Sequence, residues 1–278
     1  MILPMAAKTF PRTVIADIKR ALRFPILIAI LVVILSFILD NYGDLLVAFE
    51  NPERAKEVIS VFYYYFNAVS FGGMFTRYLF VLIAAVPFGA QYARERQSGM
   101  TVFLIHRSGQ RNYCISKMLT AALTGGLALC LGSLIFVAGL STRLQLIVPL
   151  NLTEFVWLPY CSLLSSGGGV PYFAAALYLM FLTGALWASV AMCVSAFTSD
   201  PYVVIASPFL ISFLQMQFSR LLKLPDTARL ELLLCGRAQW GSDSVSLFLI
   251  GLVIALIWVG LTFIFYCRVK RRVQDGLC

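Results

Sequence analysis

Residues 171–221 read PYFAAALYLMFLTGALWASVAMCVSAFTSDPYVVIASPFLISFLQMQFSRL. Two apolar runs, 171–197 and 202–221, match the ~20 residues that a bilayer crossing needs. Only Thr198-Ser199-Asp200-Pro201 lies between them. An Asp suits a helix N-cap and a Pro the first helical turn, so this stretch predicts a tight hairpin of two membrane helices. Once that is read, the rest of the chain follows the same rule. Four further apolar runs, near 25–41, 75–93, 115–140 and 246–267, bring the expected count to six spans. The predicted fold is all-α, a polytopic integral membrane protein forming one transmembrane domain over 1–278.

Composition agrees. The chain has 278 residues, 60% of them hydrophobic and only 13% charged, against about 25% charged in soluble domains. The formal charge is +9, but the basic residues fall at the ends of apolar runs. That pattern points to orientation signals and lipid headgroup contacts and away from nucleic acid. With the N-terminus inside, fourteen of the 22 Lys and Arg lie on the inner segments and nine of the 13 acids on the outer ones. Both termini are therefore expected in the cytoplasm of a multi-pass protein of the cell (plasma) membrane. MILPMAAKTFPR lacks the apolar core and cleavage site of a signal peptide, so the first span is expected to be retained.

Residues 8–24, KTFPRTVIADIKRALRF, place Val14, Ile15, Ile18 and Leu22 at helical spacing, with Lys19, Arg20 and Arg23 mostly on other faces. This predicts a basic amphipathic helix lying along the inner headgroups. On the outer side, the charged patch Asn51–Glu57 precedes the aromatic run Phe62-Tyr63-Tyr64-Tyr65-Phe66, expected at headgroup level or, on the sharper reading, binding a ligand. Ser165 to Gly169 reads as a flexible link, and 222–245 as containing a short interfacial helix near Thr227 to Leu234. Asn151-Leu152-Thr153 matches a glycosylation sequon too short to carry weight. The seven cysteines form no CxxC pair; Cys161 and Cys235 are expected on the outer face, where they could pair.

The spans carry almost no ionisable residue away from their ends. Proton- or sodium-coupled transporters usually need one, which argues against secondary transport. The single histidine, His106, falls outside the spans, so no histidine dyad is available at membrane depth. No HExxH and no intramembrane acidic pair is present, and no catalytic or metal-ligating residue is nominated. Small residues (Gly125, Gly126, Gly132 and Gly139; Gly184, Ala188 and Ala191; Gly251 and Gly260) mark three spans as sites of close helix approach.

Between the second and third spans, ARERQSGMTVFLIHRSGQRNYCISK (93–117) is far longer than a tight turn. It holds Arg94, Arg96, Arg107, Arg111 and Lys117, the acid Glu95, and the apolar core Met100 to Ile105. Gly99 and Gly109 punctuate it, which predicts a short amphipathic helix facing the cytoplasm. The series Glu95, Gly99, an apolar stretch to Ile105, Arg107, Arg111 and Lys117 resembles the permease subunits of ABC-2 type (type V exporter-like) transporters. There an acid, a glycine and spaced basic residues mark the cytoplasmic coupling helix. Phe197 to Tyr202 followed by Ala206-Ser207-Pro208-Phe209 is similar to the tight hairpin of these permeases, and 8–24 to their elbow helix.

The resemblance implies a permease driven by a separate ATPase, to which ATP and Mg would bind. This chain would hold no cofactor and is not expected to be an enzyme, since none of its lysines follows the glycine that a Walker A motif requires. The coupling loop would span 94–112. Its ATPase-contacting residues would be Arg94, Glu95, Arg96, Gly99, Met100, Val102, Phe103, Leu104, Arg107 and Arg111. A second permease, identical or homologous, is also implied. The cargo would be amphipathic or hydrophobic: a peptide, an antimicrobial, a drug or a lipid-linked molecule. Two other readings stand beside it: a non-transporting sensor or assembly partner that recruits a soluble protein, and a secondary transporter or channel.

Overall fold

The computed structural model describes residues 13–22, 24–50, 60–148, 159–165 and 167–275, and they are all-helical apart from turns and connections. The patch at Asn51–Glu57, the sequon and residues 8–12 lie outside them. A short helix α1 (Thr13–Ala21) meets α2 (Phe24–Asp40) at 49°. Then follow α3 (Tyr42–Glu50), α4 (Val61–Phe66) running into a π-helical turn at Asn67–Gly72, and α5 (Met74–Ala85). Next come α6 (Gln91–Gln97), α7 (Met100–Ser108) and α8 (Gln110–Ser141). The chain continues through α9 (Cys161–Ser165), α10 (Val170–Ser195), α11 (Pro201–Leu221), α12 (Leu230–Leu234) and α13 (Asp243–Gln274).

Four helices are long and apolar enough to cross a membrane, and up to six spans result if each bent pair counts as one. The hairpin forms as read. Asp200 accepts from Tyr202 N–H at 2.9 Å and Pro201 opens α11. The second span differs from the expected 75–93. Turn residues at 86–90, around Pro87, stop α5 after 12 residues, a rise of only about 18 Å. Its apolar length is made up by Val61–Ser70, bent 72° from it.

That bend is capped from a distance. Asp40, at the end of α2, accepts from the N–H groups of Phe75 (2.9 Å) and Thr76 (2.7 Å), satisfying donors that a helix start leaves orphaned. Removing the carboxylate in Asp40→Ala is expected to cost about 1–2 kcal/mol, read as a lower midpoint of thermal unfolding in nanodiscs. An unchanged midpoint would mean that water caps α5 equally well.

The core is centred on α8 and α10. In their most apolar windows 61% and 72% of residues are buried, against 28% in α11 and 11% in α13, although α13 is the most apolar of the four. Hydropathy therefore does not rank burial here. The inner helices are the ones rich in small residues, which let backbones approach.

The aromatic run at 62–66 is turned into the protein. Phe62, Tyr64, Tyr65 and Phe66 are buried, and only Tyr63 is exposed. Phe37 stacks on Phe136 with ring centroids 4.6 Å apart and packs against Tyr65 and Phe80. The run is thus core packing between α2, α5 and α8. Gly167–Gly169 is likewise no flexible link but a 3-10 turn, with Gly169 buried, leading into α10. The helix at Leu230–Leu234 exists but turns Leu233 and Leu234 into the core. Cys161 and Cys235 are free thiols.

Candidate functional site

The segment at 91–117 folds as α6, a turn, α7 and the start of α8. Gly99 and Gly109 bracket α7 with φ of +69° and +80°, in the region that L side chains disfavour. The punctuation read in the sequence is therefore real. Each glycine stands at one end of a nine-residue helix that buries Thr101, Ile105 and Ser108 against the bundle and exposes Met100, Val102 and Phe103.

Around it the expected contact residues separate into two groups. Arg94, Gly99, Met100, Val102, Phe103, Arg107 and Arg111 are exposed, with Phe103 reaching 78%. Arg96 and Leu104 are partly buried, Leu104 against a small core that includes Tyr92, Tyr113 and Met118. Glu95 is the correction. It is 3% exposed and turned inward, so it does not belong to a surface that another protein could touch.

Glu95 instead forms the centre of a buried ionic cluster. Lys117 Nζ donates to Glu95 Oε1 at 2.6 Å and to Asp17 Oδ1 at 2.8 Å. Tyr113 OH donates to Glu95 Oε2 at 2.7 Å, and Gln91 Nε2 to Oε1 at 2.9 Å. Ser116 Oγ donates to Asp17 at 3.2 Å. Arg20 Nη1 lies 3.7 Å from Glu95, so two carboxylates face two cations and the charge balances. The ammonium also sits over the rings of Phe88 (5.2 Å) and Tyr113 (5.3 Å), a favourable placement for a desolvated cation.

Helical geometry explains the convergence. Tyr113 and Lys117 are four residues apart and share a face of α8, as Gln91 and Glu95 do on α6. In α1, Asp17 and Ala21 form the buried strip, while Ile15 and Leu22 are exposed. The apolar face read for this helix thus points partly outward, and an acid takes the inward position. Because α8 begins at Gln110, Lys117 lies two turns inside it. Sequence reasoning missed Asp17 and Tyr113; the available signal was a lone acid in an otherwise basic helix.

Two further bonds tie this end together. Gln97 Nε2 donates to Ser199 O in the α10–α11 turn at 2.8 Å. Arg272 donates to Phe197 O at 3.2 Å, and Arg268 lies over the Phe197 ring. Movement of α6 and α7 would be felt by α1, α8 and the hairpin at once. Among the described residues no group of three His, Cys, Asp or Glu gathers to hold a metal.

The arrangement defines a class: an all-helical protein with four to six helices long and apolar enough to cross a membrane, and a short, half-exposed helix that follows a segment, α6, fastened to α1 and α8 by buried ion pairs. The chain matches no family model, no curated protein and no solved structure.

Proposed function

We propose that the chain is the permease subunit of an ATP-driven transporter of the ABC type, exporting an amphipathic or hydrophobic cargo. It works as a dimer of permeases with two ATPase subunits. Both termini and α7 face the cytoplasm of the cell membrane, and ATP and Mg bind to the partner. The observation that carries this reading is α7 itself. It exposes Met100, Val102 and Phe103 beside the cations Arg94, Arg107 and Arg111, while Glu95 and Lys117 lock its base to α1 and α8.

An exposed aromatic on a short helix with exposed arginines on it and on the two helices flanking it has the composition of an interface hot spot. Rigid attachment at its base is what a lever needs to pass on a partner's motion. Arg94, Arg107 and Arg111 supply the charge complementarity, and Glu95 serves as an internal strut. The balanced charge of the buried cluster and the scarcity of other ionisable groups at depth suit an amphipathic cargo better than a small ion.

The test is co-purification from the native membrane with a C-terminal tag. A soluble ATPase in near-equal abundance is the expected result. Phe103→Asp removes about 2–3 kcal/mol of burial and adds a charge to desolvate, so it should reduce ATPase recovery more than tenfold while membrane insertion persists. A chain that purifies alone in several mild detergents, or a Phe103→Asp complex that stays intact, would overturn the reading.

A further inference from the structure

At the opposite end of the bundle, α5, α10, α11 and the α12 hairpin enclose a cavity of about 120 Å³. Phe80, Met180 and Trp187, all buried, give it an apolar wall. Arg77, in the first turn of α5, and Glu231, in α12, put a cation and an anion in the same lining. Arg77 is exposed and Glu231 half-buried, so the cavity is accessible. Among the described residues these two form no ion pair with each other. Arg77 Nη2 donates instead to the thioether of Met216 at 2.9 Å. Glu231 Oε2 accepts from Gln215 Nε2 at 3.4 Å, beyond the usual ~3.2 Å.

Both groups keep spare bonding capacity. A thioether is a weak acceptor for a guanidinium with five N–H donors, and one long bond leaves most of a carboxylate's lone pairs open. The other polar groups of the lining are committed within the chain. Ser70, Thr76, Thr183 and Ser212 donate their hydroxyls to backbone carbonyls. The Cys235 thiol donates to Glu231 O, and Arg237 has a partner of its own. What Arg77 and Glu231 present is therefore balanced in charge but separated in space. A simple anion or a simple cation would leave one of them unmatched, which counts against either. A molecule that carries both signs a few bonds apart matches both. With an apolar wall beside a few placed polar groups, the lining has the usual composition of a small-molecule site.

We propose that this cavity binds a compact zwitterion of the amino-acid kind, its carboxylate paired with Arg77, its ammonium with Glu231 and its apolar body against Phe80, Met180 and Trp187. A cavity of ~150 Å³ holds one benzene-sized molecule, which sets the scale of that body and rules out a two-chain lipid. That such a molecule is the transported cargo rests on the permease reading. Its binding does not.

The experiment uses the full chain in phosphatidylcholine nanodiscs and measures binding of tritiated L-leucine by scintillation proximity. Two competitors each lack one charge: 4-methylpentanoate has no ammonium, and 3-methylbutylamine has no carboxylate. Saturable leucine binding is expected, with each competitor about tenfold weaker or more, the factor that one charged hydrogen bond supplies. Glu231→Gln should weaken leucine about tenfold and leave 4-methylpentanoate unchanged, so that the preference between those two disappears. Arg77→Gln should do the same for leucine and 3-methylbutylamine. A variant that merely misfolds would lose all three ligands together.

Should a Gln variant behave in that way, Arg77→Lys and Glu231→Asp decide the matter. They keep both charges and must keep the wild-type order of preference; a lost order overturns the proposal. So does the absence of saturable leucine binding to the wild type, a competitor that matches leucine there, or a pair of Gln variants that retain the wild-type preferences. Binding by a chain with no ATPase partner would keep the site and sink the permease reading; an ATPase partner without binding would do the reverse.

Discussion

Lys117→Met should unfold or severely destabilise the protein, by about 3–5 kcal/mol. The substitution keeps most of the length of the side chain and removes its charge. Glu95 and Asp17, which share the lysine nitrogen at 2.6 and 2.8 Å, then face each other buried, with Arg20 at 3.7 Å as the remaining nearby cation. An uncompensated buried carboxylate is among the costliest defects a core can carry. The triple variant Asp17→Asn, Glu95→Gln, Lys117→Met removes all three charges while keeping hydrogen-bonding groups in place of the carboxylates. It should recover most of the loss, because breaking a buried ion pair costs more than replacing it whole. Thermal unfolding in nanodiscs decides the matter. A single variant as stable as the wild type would mean that the cluster does not hold α1, α6 and α8 together.

Gly184→Ala is expected to have the next largest effect. At the α8–α10 crossing, a Cβ at Gly184 would overlap the carbonyl of Gly125 and lie 2.9 Å from Gly126 Cα. All of these are backbone atoms, which cannot rotate aside as a flexible side chain would. The helices must separate, and the overpacking should cost about 1–3 kcal/mol or more. Gly139 and Gly260 provide the control, since a Cβ at either meets nothing within 4 Å. Gly139→Ala and Gly260→Ala should leave the unfolding midpoint unchanged or raise it slightly, through better helix propensity. Equal effects at all three positions would show that propensity rather than the crossing governs the response.

Much of this architecture was legible in the chain. The hairpin at Thr198–Pro201 was readable because capping is local: an Asp and a Pro suffice, whatever surrounds them. Gly99 and Gly109 marked the ends of α7 for a similarly local reason, since their positive φ values belong to the turns themselves. The small residues of α8 and α10 also announced close approach. Which glycine met which backbone was not readable, because that depends on crossing geometry.

The candidate site divides along the same line. Met100, Val102, Phe103, Arg107 and Arg111 were assigned through the resemblance carried by the loop at 93–117, and all five are exposed. Glu95 carried the same sequence signal as its charged neighbours Arg94 and Arg96, yet it points inward. Successive positions on a helix point about 100° apart, and only packing decides which of them faces in. Asp17 and Lys117 lie 100 residues apart in sequence, and no local pattern pairs them. Arg77, Glu231 and Arg237 reach one cavity by the same long-range route.

By itself the sequence determined an all-helical, membrane-length architecture, its hairpin and the short helix between two glycines, because apolar run length, capping and backbone freedom are local properties. The tertiary structure decided which apolar helices are central, that the aromatic run of 62–66 is core, and that Glu95 is a buried strut. Those outcomes depend on which faces meet across the bundle, and that is set by the shape of the contacts and the pairing of buried charge.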